Sequence, residues 1–382
     1  MNNEINKKIL REVLNETAEI LRTGKTARKI RIGLTTVGSE VDPLDLLRGA
    51  EIAMQQVPGL EVSIIGPAPK CNLPVYEAAD EDEVHAVLER LLDEKELDGV
   101  VTMHYPFPIG VATIGKVVTP ARGKNMYIAS TTGTSDTDRI QAMVKNAVFG
   151  IAAARADGIS NPTVGILNVD GSRQVERYLN AMKSRGYDFC WGESRRADGG
   201  QILRGNDLIQ GSVDVVVCDT LTGNILMKLF SSFNSGGDYE TMGYGYGPGV
   251  GENFDRLICI ISRASGSPVI AGAINYCASM VSGGIKPIAA HEILKAKQAG
   301  WQIPAPSAVA IQASEEITPP PAKITAEQIP GIDILELEDA VKVLWKNKIF
   351  ASSGMGCTGP VILVAGEDKA SALEILRANQ YI

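Results

Sequence analysis

An α/β fold of two lobes, each a mainly parallel sheet flanked by helices, is what this sequence predicts, and three observations predict it. Short β-branched runs alternate with amphipathic helical stretches for most of the length. The 382 residues exceed what one small core serves, so two lobes are expected. The only proline-dense stretch, ITPPPAKITAEQIPG at 317–331, comes late and reads as a connector.

The elements follow in order. The opening MNNEINKKILREVLNETAEIL mixes charge with a helical apolar period at Ile5, Ile9, Val13 and Ile20, and lacks a signal-peptide core. Strands are predicted at 29–35, 61–66, 98–104, 125–131, 163–169, 213–220, 256–262 and 360–366. Helices are predicted at 43–57, 82–95 and 173–186, between those strands. A long helix ends at Gly158 and Pro162 opens the next strand, which places a boundary near 154–162. The expected division is a first lobe at 1–158, a second at 159–320, and a C-terminal segment at 321–382 that carries a cysteine loop and returns to the first lobe. Ligands in such sheets bind beyond the carboxyl ends of the strands.

Composition excludes several classes. The chain is 45% hydrophobic and 21% charged, with mean hydropathy near zero, as in soluble globular proteins. A net charge of −8 argues against a nucleic-acid surface, so any phosphate must be held by local groups. No run reaches the ~18 to 20 apolar residues of a membrane helix. Six cysteines without a CxxC pair give no disulfide framework, and His85, His104 and His291 are too few for a His-rich zinc centre. No metal and no organic cofactor is expected, and the expected compartment is the reducing cytoplasm.

Four stretches bear on chemistry. In DVVVCDTLTGNILMKLF (214–230) a strand ends at Asp219, a Thr-Gly-Asn turn follows, and a helix starts. Amide groups there, with Thr222, Gly223, Asn224 and Lys228, suit a phosphate; a simple N-cap explains the same residues. ASTTGTSDTDR (129–139) offers Thr132, Gly133 and Thr134 to an oxyanion, and Asp136 is an equally good N-cap. MHYPFPIGVA (103–112) ends a strand in His104, either a general acid–base or a hydrogen-bonded loop residue. GYGYGPGVG (243–251) lacks a closely preceding strand and a following helix, so it reads as a flexible loop or lid and not a dinucleotide site.

The cysteines divide by context. Cys218 and Cys259 lie in apolar strands and Cys277 in a helical run, where small buried hydrophobes are the default. Cys71 and Cys190 sit in loops without chemical partners nearby in sequence. Cys357 sits in GMGCTGP, where Gly354, Gly356 and Gly359 let the backbone approach a ligand. Amides there lower a thiol pKa, and the thiolate is the attacking species. A tight glycine turn without a side-chain role is the equal alternative.

Taken together, GISNPTVGILNVDG, GNDLIQGSVDVVVCDTLTGNILMK and GCTGPVILVAGEDKASALEILR resemble, in this order, the acyl-phosphate synthases of phospholipid synthesis. VGSEVDPLDLLRGA matches that group's first loop and helix more loosely. The resemblance implies a phosphotransacetylase- or isocitrate dehydrogenase-like fold and an acyl thioester converted by inorganic phosphate to an acyl phosphate. Those synthases carry no cysteine where Cys357 stands, and the N-terminal extension and the glycine–tyrosine loop also depart from them. With its cysteine, the last motif is similar to the smaller (alpha) subunits of component C of glycine, sarcosine and betaine reductase complexes. That resemblance implies a larger (beta) subunit and a small selenoprotein carrying carboxymethyl-selenocysteine as partners in a hetero-oligomer. It also implies an acetyl thioester on Cys357, with Gly356 and Thr358 amides facing the oxyanion. Phosphate then attacks from Thr222, Gly223, Asn224 and Lys228. Two alternatives stay open: a free-standing phosphate acyltransferase using coenzyme A or acyl-carrier thioesters, and a non-catalytic anion-binding assembly subunit.

Overall fold

The computed structural model describes residues 29–197, 199–302, 317–356, 359–379 and 381–382; the N-terminal helical stretch, Cys357 and Thr358 lie outside these described residues. Along the chain come β1 (Ile30–Thr35), α1 (Pro43–Gln56), β2 (Leu60–Ile65), β3 (Val75–Tyr76), α2 (Glu81–Asp93) and β4 (Gly99–Thr102). Then follow β5 (Val111–Val118), β6 (Asn125–Thr134), α3 (Arg139–Ala156), β7 (Thr163–Leu167), α4 (Ser172–Ser184), β8 (Cys190–Trp191), β9 (Ile202–Leu203) and α5 (Gly205–Gln210). Next are β10 (Val215–Val217), α6 (Thr220–Ser232), β11 (Gly247–Gly251), β12 (Ile258–Ile260), α7 (Ser267–Gly283) and α8 (Ile285–Gln298). The C-terminal part holds β13 (Glu327–Pro330), α9 (Leu337–Lys346), β14 (Ala351–Gly356), β15 (Gly359–Val364) and α10 (Lys369–Ala378).

The predicted α/β fold is the observed one. A single mixed sheet runs in the order β3-β2-β1-β4-β12-β11-β5-β6-β10-β7-β8, with β9 also on β7. Its two flanks are parallel, while β11 and β5 between them pair antiparallel with their neighbours. The parallel flanks therefore run in opposite directions and present their carboxyl ends to opposite edges. The division at residue 158 follows chain order, but the sheet does not: β6 joins the flank of β10 and β7, and β12 returns to β4.

Helices begin where side chains satisfy their first amides. Asp42, Asp80, Asp138 and Asp219 cap α1, α2, α3 and α6. Asp138 takes the role expected of Asp136, which instead accepts from the Asp138 amide and pairs with Lys145 at 2.6 Å. One apolar layer joins α1, α3, α4 and α7 to one face of the sheet through residues such as Leu47, Phe149, Val175 and Ile274. The other face is covered by α2 and α6 through Leu88, Leu91, Met227 and Phe230.

The glycine–tyrosine stretch is a correction. It is no lid: Gly247–Gly251 form β11, in the middle of the sheet and largely buried. A Cβ at Gly249 would stand 2.3 Å from the Phe107 ring, so glycine is what admits the ring. With three glycines in five residues the segment shows no alternation, and its strand character is silent in sequence.

The C-terminal segment builds its own antiparallel sheet, β13-β15-β14, under α9 and α10. Its core of Ile329, Leu337, Leu344, Ile362, Val364 and Leu376 is separate from the two main layers. An ion pair joins its Glu336 to Arg177 of α4.

Candidate active site

The carboxyl end of β6 is built by hydrogen bonds. A register shift between Ala112 and Ile114 of β5 turns the Thr113 hydroxyl toward Thr131 at 2.6 Å and Thr132 at 2.8 Å. The Thr132 amide donates to the same oxygen. Thr132, Gly133 and Thr134 therefore belong to the strand, not to a loop after it. Gly133 has φ of +78°, and a Cβ there would meet the Val111 carbonyl at 2.5 Å.

The start of α6 lies directly against this strand. Asp219 accepts from the Thr222 amide at 3.1 Å and from its hydroxyl at 2.7 Å. The Gly223 amide donates to the Asp219 carbonyl, and the Asn224 side chain donates to the Thr131 carbonyl at 3.1 Å. The Thr-Gly-Asn triplet is thus the first turn of the helix rather than a turn before it, and its donors have partners within the protein. Lys228 stands exposed one turn on, its Nζ 5.6 Å from the centre of the Tyr246 ring.

His104 reaches the same region by the crossover from β4 to β5. With Tyr105, Phe107, Ile109, Thr132, Gly133 and Thr134 it lines a cavity of about 320 Å³. Its side chain is half exposed, with Nδ1 3.8 Å from the Glu81 carboxylate. The structure therefore brings His104 together with Thr132–Thr134, two stretches that sequence offered separately.

The cysteine hairpin lies elsewhere on the chain. β14 and β15 pair from Ala351↔Val364 to Gly356↔Gly359, and the two positions between those glycines are Cys357 and Thr358. Pro360 lines a second cavity, of about 410 Å³, with Asn168, Asp170, Ser172 and Arg173 from the end of β7 and the start of α4. Arg196, Gly199, Gly200 and Arg204 close its other side. Sequence reasoning missed this cavity, because it joins residues some 160 positions apart and its arginines read as ordinary solvated charges. The signal available was the pairing of SRRADGGQILR with NVDG, both beside β7.

Among the other cysteines, burial pushes the Cys218 and Cys259 thiols well up from their usual range, which suppresses the thiolate. Cys277 is also buried, Cys71 is half-buried and Cys190 exposed.

The flanked α/β sheet gathers polar residues beyond the ends of β6 and β7. The chain belongs to the family described as fatty acid synthesis protein, whose model matches residues 30–363. It is 48% identical over 375 residues, 97% of each chain, to the glycine/sarcosine/betaine reductase complex component C subunit alpha of Peptoclostridium acidaminophilum. The likeness carried by the cysteine motif is thereby borne out. A phosphate acyltransferase of Thermotoga petrophila is 26% identical over 234 residues, 52% of this chain and 67% of its own. A crystal structure of 4-hydroxythreonine-4-phosphate dehydrogenase from Klebsiella pneumoniae has a TM-score of 0.41 and 14% identity, covering 66% of this chain and 100% of that one. Among the described residues no single helix is long and apolar enough to cross a membrane.

Proposed function

We propose that this chain forms acetyl phosphate through an acetyl thioester on Cys357, as the alpha subunit of component C in a cytoplasmic glycine/sarcosine/betaine reductase complex. The observation that carries this reading is the 48% identity spread over 97% of both chains. On the small selenoprotein a thiol, the reductant, attacks selenium, so that a selenium–sulfur bond forms as the carbon–selenium bond breaks. With the Cys357 thiol and one proton the carboxymethyl group becomes the acetyl thioester, its second carboxyl oxygen leaving as water. The larger subunit is the other partner. An oxygen of inorganic phosphate attacks the thioester carbonyl carbon. The tetrahedral oxyanion forms, the carbon–sulfur bond breaks, acetyl phosphate leaves and the thiolate is restored. Amides at Gly356 and Thr358 stabilise the oxyanion, a contribution of about 3 kcal/mol per donor. His104 is the acid–base group of this reading, in the cavity framed by the hydroxyl-rich end of β6. Lys228 adds a cation on α6, whose first turn Thr222, Gly223 and Asn224 fix.

Mass spectrometry of the full chain after brief treatment with acetyl phosphate tests the thioester. An acetyl group on the Cys357 peptide, with arsenate-dependent loss of acetyl phosphate absent in Cys357→Ala, is the expected result. Arsenolysis persisting in that variant, or an adduct on Cys71 or Cys190, would overturn it. The second reading, a phosphate acyltransferase acting on coenzyme A or acyl-carrier thioesters, is supported by the Thermotoga petrophila relative. It predicts turnover of those thioesters without any selenoprotein, undiminished in Cys357→Ala.

A further inference from the structure

We infer that the cavity between the end of β7 and the C-terminal unit is an oxyanion site that receives inorganic phosphate on Arg173, Arg196 and Arg204. The inference deepens the acetyl-phosphate reading and rests on it for the role of the bound anion, the attacking phosphate.

Several observations converge. Arg173 comes from the first turn of α4 and Arg196 and Arg204 from the stretch before α5, so two separate elements bring three guanidinium groups to one space of about 410 Å³. Guanidinium is the side chain whose donor fork matches a phosphate. The arrangement is held, not incidental. Asp207, 2% exposed, accepts from the amides of Arg195 and Arg204 at 2.9 Å each and from the Ser194 hydroxyl at 2.8 Å. It therefore fixes both ends of the segment that carries the two arginines. Gly199 and Gly200, with φ of +61° and +89°, would meet nothing within 4 Å if given a Cβ, which leaves the wall open to an incoming ligand. Two carboxylates also line the space: Asp333 spends an oxygen on the Leu335 amide, and Asp170 lies at the rim, exposed. Pro360 of the cysteine hairpin forms part of the wall. Arg173 also pairs with Glu176 at 3.0 Å on its own helix, an orientation compatible with a second acceptor on the planar fork. The amides of Thr222 and Gly223 and the Asn224 side chain, the donors sequence offered for phosphate, serve Asp219 and Thr131.

Titration calorimetry of the full chain with inorganic phosphate, with acetate as a carboxylate control, tests the site. Wild type is expected to bind phosphate in preference to acetate. Arg173→Gln and Arg204→Gln are each expected to weaken phosphate binding at least tenfold, and Arg204→Lys by less. In arsenolysis the same variants should raise KM for arsenate far more than they lower kcat. Phosphate binding unchanged in both glutamine variants, or lost only in Lys228→Gln, would overturn the assignment, as would tighter binding of acetate than of phosphate. A far-ultraviolet spectrum matching wild type separates loss of the site from loss of the fold. If phosphate binding depends on the arginines while Cys357 never acquires an acetyl group, the thioester reading falls and the binding site stands.

Discussion

A Cβ placed on Gly223 would stand 1.8 Å from the carbonyl oxygen of Ser130, so the first turn of α6 rests on the backbone of β6 itself. The Ser130 and Thr220 hydroxyls, 2.8 Å apart, lock the same junction. Gly223→Ala must push helix and strand apart. Overpacking of this kind costs about 1–3 kcal/mol, and urea unfolding should show it, with acetyl-phosphate turnover falling in step. A variant as stable as wild type would mean that the two elements do not touch in this way.

Lys116 and Asp157 form a buried ion pair at the centre of the molecule, and the Tyr127 and Ser279 hydroxyls donate to the same carboxylate. Lys116 also lies 4.3 Å from the centre of the Tyr244 ring. Breaking one partner of such a pair leaves an uncompensated charge, at about 3–5 kcal/mol. Asp157→Asn should lose stability on that scale in urea, and the double variant with Lys116→Met should recover a large part of it. Equal losses in the single and double variants would count against the pair.

Burial alone would raise the Asp207 carboxyl, but the Arg204 and Arg195 amides and the Ser194 and Ser212 hydroxyls outweigh it and hold the group below its ordinary range. A depressed carboxyl in the fold contributes stability that is complete above the unfolded value of 3.8 and is lost as pH falls through the folded value. Stability measured from pH 6 downward should therefore drop more steeply below about pH 4 in wild type than in Asp207→Asn. Identical slopes would remove Asp207 from the account.

His104 touches the cavity beside Thr132, with its ring 5.6 Å from that of His85 and its Nδ1 3.8 Å from the Glu81 carboxylate. His104→Gln should leave urea stability unchanged and slow phosphorolysis of the acetyl enzyme by about 10²–10⁴. Full turnover in this variant would reduce His104 to a loop residue.

The eight strands expected from sequence all coincide with observed ones, because buried parallel strands declare themselves as β-branched runs such as VVV in β10. β5 went unpredicted although VATIGKVV is β-branched: buried almost throughout, it shows no alternation and lies against a stretch that reads as loop. β11 was illegible for the opposite reason, having almost no side chains to read. The same limit governs the site. Asp219 and the Thr-Gly-Asn residues are local and could be placed from sequence, down to the N-cap alternative. The arginine cavity depends on Asp207 tying down a segment that follows Ser194, and on a C-terminal unit folding across it; neither relation has a local signature.

That C-terminal unit, with Leu344, Ile362 and Leu376 in a core of its own, is a structure distinct from the main sheet, although its Pro360 shares a cavity with the end of β7. Damage to either can then be silent in the other. Heating or truncation that melts the small core first leaves molecules whose helices and main sheet report as intact, and under the proposed function these carry no acyl chemistry. Specific activity, not folded content, is the measure by which such molecules would be counted.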